Sequence, residues 1–181
     1  MCLGVSALAY AGGTIAYASI YQSYQSWKFG QEVAAPELIQ AALVEEAPAF
    51  HDGDLVGKLN IPRIGISVMV LQGMEESALI LGAGHVPGTP SPGADGNVVI
   101  AAHRDTFFRK LEGIRPGDRI QITMVRGTFE YVVDSTEIVD PADTEPMESR
   151  DHRELTLITC FPFYFVGAAP KRFIVHALPL K

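Results

Sequence analysis

The sequence predicts an all-β fold that closes into a barrel and is preceded by an N-terminal helix. From residue 56 onward, short runs rich in β-branched and aromatic residues are separated by glycine and proline, which is typical of strands and turns. The predicted strands are residues 56–61, 67–71, 97–102, 119–125, 129–138, 154–159 and 172–178. Because many short strands would expose several sheet edges, closure into a barrel is the expected architecture.

One or two short helices are expected between the strands. The first is predicted over residues 76–81. The second is expected to begin at Asp105, whose carboxylate suits a helix cap, and to place apolar residues such as Phe108 and Leu111 on one side. Residues 82–96 and 140–151 show no regular pattern and are predicted to be irregular surface segments.

Composition divides the chain into three segments. Residues 1–27 contain no charged side chain and include an apolar stretch at residues 3–20, close to the roughly 20 residues that cross a bilayer. They are predicted to form a membrane anchor, with a buried or interfacial helix as the alternative, because polar residues dilute the stretch and no basic residue precedes it. Residues 28–55 are predicted to be a stalk or linker, and residues 56–181 the β-barrel domain.

The charge balance excludes some classes of partner. The chain of 181 residues has a net charge of -7, with 14 basic and 21 acidic residues. The basic residues form no cluster in the sequence, so neither a nucleic acid partner nor a polybasic contact with a membrane surface is predicted.

Cys160 is the candidate nucleophile. It ends the apolar run of residues 155–160, and the only other cysteine, Cys2, lies far away in the N-terminal segment. Two distant cysteines support neither a disulfide framework nor a multi-cysteine metal site. A free thiol at a strand end therefore suggests nucleophilic catalysis, which requires a base or a cation nearby because the thiolate is the reactive form.

His103 and Arg172 are the candidate partners of Cys160. His103 follows the run of residues 97–102 and so also lies at a strand end, whereas the other four histidines have less favourable positions. The competing interpretation is a hydrogen-bonded histidine at the barrel rim. Arg172 begins the last predicted strand and would stabilise an oxyanion if its strand neighbours that of Cys160; the competing interpretation is a surface salt bridge.

Other chemistries have little support in the sequence. The tripeptide His103-Arg104-Asp105 also occurs in protein kinases, but the glycine-rich loop and Asp-Phe-Gly motif of kinases are missing. No histidine or cysteine pair has usable zinc-ligand spacing. The carboxylates Glu145, Glu148 and Asp151 are typical of a solvated loop, so no metal and no cofactor is predicted.

Several segments together resemble the signature of the sortases, bacterial cysteine transpeptidases, and are most similar to class D. The segments that carry this resemblance are TLITC at residues 156–160, PF at 162–163, APKRFIV at 169–175, GAGHVPGT at 82–89, GNVVIAAHR at 96–104 and GD at 117–118. The resemblance spans residues 56–178 and implies a closed, eight-stranded sortase-type barrel.

The resemblance also implies a reaction and its partners. Cys160 would attack an LPXTG-like C-terminal sorting signal to give a thioacyl enzyme, His103 would transfer protons, and Arg172 would hold the signal and the oxyanion. Thr159, Ala102 and Phe161 are the expected substrate-binding residues. The acceptor would be an amine of the cell envelope, with a peptidoglycan precursor as the family expectation, and the domain would lie outside the cytoplasm on a single N-terminal membrane anchor.

Two alternatives to transpeptidation stay open at this point. A cysteine peptidase or amidase would use the same residues but would pass the acyl group to water. A non-catalytic barrel that binds a ligand would keep Cys160 only as a packing residue.

Overall fold

The computed structural model describes residues 2–33, 50–165 and 167–180 and confirms the predicted closed barrel of eight strands. The strands are β1 (Leu55–Ile61), β2 (Ile66–Gln72), β3 (Ala83–His85), β4 (Asn97–Ala101), β5 (Arg119–Met124), β6 (Gly127–Val139), β7 (Glu154–Phe161) and β8 (Lys171–Pro179). Around the barrel their order is β1-β2-β3-β4-β7-β8-β6-β5. Closure leaves no unpaired sheet edge, as the many short strands led us to expect.

Most neighbouring strands are antiparallel, but two pairs are parallel. These are β2 with β3 and β4 with β7. The second pair matters most for function, because parallel strands end at the same edge of the sheet. The carboxyl end of β7 therefore lies between the carboxyl end of β4 and the amino end of antiparallel β8.

The barrel interior is filled by aliphatic side chains that alternate along the strands. Fully buried examples include Leu59, Ile100, Ile122, Leu157 and Val175, which come from five different strands. Burial of a large aliphatic side chain stabilises a fold by about 1.5–3 kcal/mol relative to exposure. This shared core fixes the register of the strands, since a slip of one residue would turn each apolar set outward.

Strand β3 lies inside residues 82–96, which were predicted to be irregular, so that prediction was wrong at its start. Strand β3 pairs in parallel with β2 and antiparallel with β4. At Gly84, a side chain would collide with the carbonyl oxygen of Gly73. The strand therefore depends on a close backbone approach that only glycine permits, and its three residues carry no alternating apolar pattern.

The helices agree with the sequence at one position and differ at another. Helix α2 covers Glu76–Leu81, as predicted. The helix predicted from Asp105 is instead a turn followed by a 3₁₀ helix at Arg109–Gly113, which no side chain caps. Phe108 and Leu111 are both fully buried, and the Leu111 amide donates to the Phe108 carbonyl three residues earlier, at 3.0 Å. A 3₁₀ helix has three residues per turn, so two buried residues three positions apart lie on the same side of it.

The N-terminal helix α1 covers Cys2–Val33 and extends into the segment predicted to be a stalk. The Gln22 carboxamide accepts from the Met69 amide at 2.8 Å and donates to the Leu81 carbonyl at the end of α2. Phe29 is buried at 4% exposure, so α1 packs against the barrel. Within the described residues, none of the helices has the combination of length and apolarity that crossing a membrane requires. The remainder of the predicted stalk, residues 34–49, lies outside the described residues.

Candidate active site

Cys160 and Arg172 are direct partners in the β7–β8 ladder. The register pairs Thr156 with His176, Ile158 with Ile174, and Cys160 with Arg172. Directly opposed residues of an antiparallel pair project from the same face with Cβ atoms about 4.5–5.5 Å apart. The strand adjacency that the sequence analysis required for Arg172 is therefore present.

Arg172 differs from its neighbour Lys171 in what it contacts. The Lys171 ammonium forms an ion pair with Asp140 at 2.8 Å, whereas the only described acceptor of the Arg172 guanidinium is the Lys171 carbonyl, at 3.1 Å. Among the described residues, no carboxylate lies within ion-pair distance of Arg172. Arg172 is half-buried opposite Cys160, and most of its guanidinium donors have no partner among the described residues.

His103 lies on the other side of Cys160. In the parallel β4–β7 ladder, Ala101 pairs with Ile158, and the Ala102 amide continues the pairing by donating to the Ile158 carbonyl at 3.2 Å. Two residues further along each strand are His103 and Cys160. Because side chains alternate between faces, His103 follows the outward direction shared by Cys160 and Arg172.

A buried hydrogen bond fixes this end of the β4–β7 pair. The Thr159 hydroxyl donates to the Ala102 carbonyl at 2.7 Å, and both residues are buried. Thr159 immediately precedes Cys160, and Ala102 immediately precedes His103. The contact therefore limits how far the two candidate catalytic segments can move apart.

A carboxylate that the sequence analysis did not identify contacts His103. The Glu76 Oε1 atom, at the start of α2, lies 3.7 Å from the His103 Nε2 atom. The Glu76 side chain is 75% exposed and that of His103 34% exposed, so this is a loose surface contact rather than the buried acid of a catalytic triad. No local pattern signals this contact, because the two residues lie 27 positions apart in the sequence.

The other four histidines have partners or positions that explain them without catalysis. His85 is buried, with Nδ1 2.7 Å from the Gln72 Oε1 atom and Nε2 2.9 Å from the Pro90 carbonyl, and desolvation lowers its pKa. His176 lies between Glu154 and Glu137, and His152 contacts Glu154. His51 lies in an exposed turn. His103 is therefore the histidine that remains as the candidate proton-transfer group.

The three residues predicted to bind substrate have different surroundings. Thr159 and Ala102 are 2% and 6% exposed and form the buried hydrogen bond described above. Phe161 is half-buried and packs against Phe163 and Phe173, with ring centroids 5.9 and 6.3 Å away. Phe161 thus belongs to an aromatic cluster at the start of the β7–β8 loop, while a direct substrate contact of Thr159 or Ala102 stays a prediction.

The arrangement supports thiol-based acyl transfer. A half-buried thiol in β7 lies between an imidazole just beyond the end of β4 and a guanidinium in β8 that, among the described residues, donates only to the Lys171 carbonyl. These are the groups that nucleophilic attack, proton transfer and oxyanion stabilisation require. Within the described part of the chain, no group of three or more histidine, cysteine or acidic side chains is arranged to hold a metal ion.

Comparisons with known proteins identify a family. Residues 59–180 match the Sortase domain family. The chain is 36% identical over 125 residues to Sortase D of Bacillus subtilis strain 168, covering 68% of this chain and 63% of that relative. It is 30% identical over 148 residues to Sortase A of Bacillus anthracis, covering 79% of this chain and 69% of the relative. The chain thus spans less than two thirds of the Bacillus subtilis protein.

Solved structures give the same result. A Clostridium perfringens Sortase D5 transpeptidase superimposes with a TM-score of 0.73 at 25% identity, covering 90% of this chain and 98% of that one. Sortase C1 from Streptococcus suis superimposes with a TM-score of 0.66 at 29% identity, covering 71% and 74% of the two chains. The family match over residues 59–180 and the shared fold agree, and the chain therefore belongs to the sortase family.

Proposed function

We propose that this protein is a cysteine transpeptidase that cleaves an LPXTG-like C-terminal sorting signal and transfers the cleaved protein to an amine of the cell envelope. The observation that carries the proposal is the order of three groups across neighbouring strands, with Cys160 between His103 and Arg172. Cys160 is half-buried and does not belong to the buried core, which favours a reactive thiol over the packing role of a non-catalytic barrel.

In the first half of the reaction, the Cys160 thiolate attacks the carbonyl carbon of the scissile peptide bond. The carbonyl oxygen becomes an oxyanion, toward which the Arg172 guanidinium donates hydrogen bonds. As the C–N bond breaks, His103 gives a proton to the leaving amine, and the acyl group stays on Cys160 as a thioester.

In the second half, an amine replaces the lost peptide. His103 takes a proton from the incoming amine, whose nitrogen attacks the thioester carbon. A new amide forms and the Cys160 thiolate leaves. Arg172 serves both halves, because each passes through an oxyanion at the same carbonyl.

The difference between transfer and hydrolysis depends on access of water to the thioester. The β7–β8 loop begins two residues after Cys160 and carries the exposed aromatic residues Tyr164 and Phe165, which we expect to form an apolar border beside the acyl enzyme. An apolar border disfavours bulk water near the acyl enzyme. This composition favours transfer to an amine over hydrolysis by a simple cysteine peptidase.

The expected partners follow from the same proposal. They are secreted proteins with a C-terminal sorting signal, an amine acceptor such as a peptidoglycan precursor, and the bacterial cell membrane through residues 1–27. The uncharged character of residues 1–27 supports the membrane contact. Flotation of the full chain with phosphatidylglycerol vesicles tests it, and loss of flotation on deletion of residues 1–27 is the expected result.

The decisive experiment traps the acyl enzyme. The full chain is incubated with a panel of sorting-signal peptides and analysed by intact-mass spectrometry followed by peptide mapping. We expect a mass increase equal to the N-terminal part of the peptide, located on Cys160 rather than Cys2, and absent from the Cys160→Ala variant.

The same peptides distinguish the competing functions. With triglycine added, a transpeptidase yields the amide product, whereas a peptidase or amidase yields only the free acid. A protein that forms no adduct with any peptide, and whose Cys160 resists iodoacetamide in the folded state, would be a binding module rather than an enzyme.

A further inference from the structure

Side chains from outside the β7–β8 loop contact it, and Arg104 is the one that donates hydrogen bonds to several of its carbonyls. The loop joins the strand of Cys160 to the strand of Arg172, and it carries the exposed aromatic residues Tyr164 and Phe165. A loop of this kind has backbone carbonyl groups that no strand pairs with, so other donors or water must satisfy them.

The Arg104 guanidinium supplies those donors. Its Nη1 atom donates to the Pro162 carbonyl at 3.0 Å, and its Nη2 atom donates to the carbonyls of Phe165 and Gly167 at 2.9 and 3.0 Å. The guanidinium also lies over the Phe165 ring, 5.7 Å from its centroid. Three carbonyls and one ring around a single planar group suit arginine, whose donors form a rigid fork, and do not suit lysine.

Among the described residues, all hydrogen-bond and ring partners of the Arg104 side chain lie in the β7–β8 loop. Arg104 has no ion pair with any described carboxylate, so no competing partner draws the side chain away. Its backbone immediately follows His103. One residue therefore connects the segment of the candidate proton-transfer group to the loop between the nucleophile and the oxyanion-stabilising arginine.

We propose that Arg104 is a positioning residue that holds the β7–β8 loop closed beside Cys160. The proposal rests on the transpeptidase function argued above and adds a specific consequence to it. A closed loop keeps its aromatic residues beside the acyl enzyme, which helps to bind the sorting signal and limits attack by water. Loss of Arg104 would leave the thiol and its partners in place but would open this border.

Arg109 provides a matched control. It also contacts the loop, but only through the Tyr164 ring, 4.8 Å from its centroid, and it is exposed. Exposed cation–π contacts contribute little compared with three hydrogen bonds from a charged donor. Removal of either arginine changes the net charge equally, so a difference between the two variants reports the hydrogen bonds.

The first test measures the loop without any substrate. Chymotrypsin is expected to cut next to Phe163, Tyr164 or Phe165 about tenfold faster in Arg104→Gln than in the wild type, because the opened loop is the cleavable state. Peptide mapping identifies the cut sites, and Arg109→Gln is expected to be cut at the wild-type rate. Arg104→Lys keeps the charge but not the fork, and we expect an intermediate rate.

The second test measures the reaction. With a sorting peptide and triglycine, Arg104→Gln is expected to raise the KM for the peptide several-fold and to shift the product ratio from amide toward free acid. Cys160 is expected to stay reactive toward iodoacetamide in Arg104→Gln, because the thiol and its partners remain in place. Wild-type values of loop cleavage, KM and product ratio in Arg104→Gln would overturn the role of Arg104.

The two proposals fail in different ways. A wild-type protein that forms no acyl enzyme overturns the transpeptidase function, and loop cleavage still measures the Arg104 contact. If Arg104→Gln unfolds on a thermal scan at the assay temperature, Arg104→Lys replaces it. Loop cleavage and a product ratio equal to those of the wild type in the lysine variant would then count against the proposal.

Discussion

The two sides of the candidate active site are held by different kinds of structure. Cys160 and Arg172 are partners in a regular antiparallel ladder, which continues without a break from this pair toward the start of β7. His103 follows the last ladder position of β4 and is positioned by the Thr159 hydrogen bond to Ala102 and by the loose contact with Glu76. A ladder resists small shifts because its register is set by the core, whereas isolated side-chain contacts can be lost one at a time. We therefore expect changes at Cys160 and Arg172 to have large effects and changes around His103 to have graded ones.

The largest effect is expected from Arg172→Ala. Removal of one oxyanion donor typically lowers kcat by about 10²–10³-fold, and we expect a loss in kcat/KM of that size with sorting peptides. Lys171→Ala is the matched control, because Lys171 projects to the other face and only loses an exposed ion pair with Asp140, worth about 0–1 kcal/mol. Equal losses in the two variants would mean that the ladder does not direct Arg172 toward the reacting carbonyl.

The next prediction concerns Asp118, where a substitution is expected to lower stability without changing the geometry of the candidate active site. Asp118 is buried, accepts from the Arg63 guanidinium and the Arg115 amide, and lies outside the candidate active site. We expect Asp118→Asn to lower the free energy of unfolding by about 2–3 kcal/mol, less than for a fully buried pair because Arg63 is 37% exposed. Below the unfolding temperature, kcat/KM is expected to stay within twofold of the wild type.

The same pair gives a pH dependence with a definite sign. The hydrogen bond from Arg63 holds the pKa of Asp118 below its ordinary value, which is about 3.9 in unfolded chains. The stabilisation is therefore complete above about pH 4–5 and is lost as the pH falls through the lowered pKa. Urea unfolding from pH 7 to pH 2 should show the difference between wild type and Asp118→Asn shrinking only at the acidic end. A difference that persists unchanged at pH 2 would contradict an ionised Asp118 as its source.

An intermediate effect is expected at the junction of the two sides, which is the hydrogen bond from Thr159 to Ala102. Thr159→Val removes the hydroxyl that donates to the Ala102 carbonyl and leaves that carbonyl without its partner, at a cost of about 1–3 kcal/mol. We also expect kcat to fall more than KM rises, because His103 is no longer held level with Cys160. Thr159→Ser keeps the hydroxyl and should recover most of kcat.

Thr156 is the matched control for this junction. It is equally buried, and its hydroxyl donates to the Asn97 side chain at the other end of the same strand pair, at 2.8 Å. Thr156→Val should lower stability by a similar amount without a selective fall in kcat. If both valine variants lose kcat equally, the effect is general loosening of the β4–β7 pair and not displacement of His103.

The contrast between the two sides also explains what the sequence could and could not predict. Strand runs, the position of Cys160 and the start of β8 follow from local patterns, and Arg172 becomes its partner once strand order is known. Strand β3 was missed because it depends on backbone closeness at Gly84. The contacts of Glu76 with His103 and of Arg104 with the β7–β8 loop join residues from separate elements, and no local periodicity encodes such pairs.

The smallest effect is expected at Glu76. Its carboxylate is exposed and lies 3.7 Å from His103, so it can act on the ring only through a screened surface interaction. We expect Glu76→Gln to lower kcat/KM by about two- to threefold at low ionic strength and to match the wild type at about 0.5 M salt, where screening removes the attraction. Glu75→Gln, one residue earlier and equally exposed, should show no such salt dependence. A loss of a hundredfold or more in Glu76→Gln, independent of salt, would instead make Glu76 a true third member of the site, and the His103 side would then be as firmly determined as the ladder that holds Cys160 and Arg172.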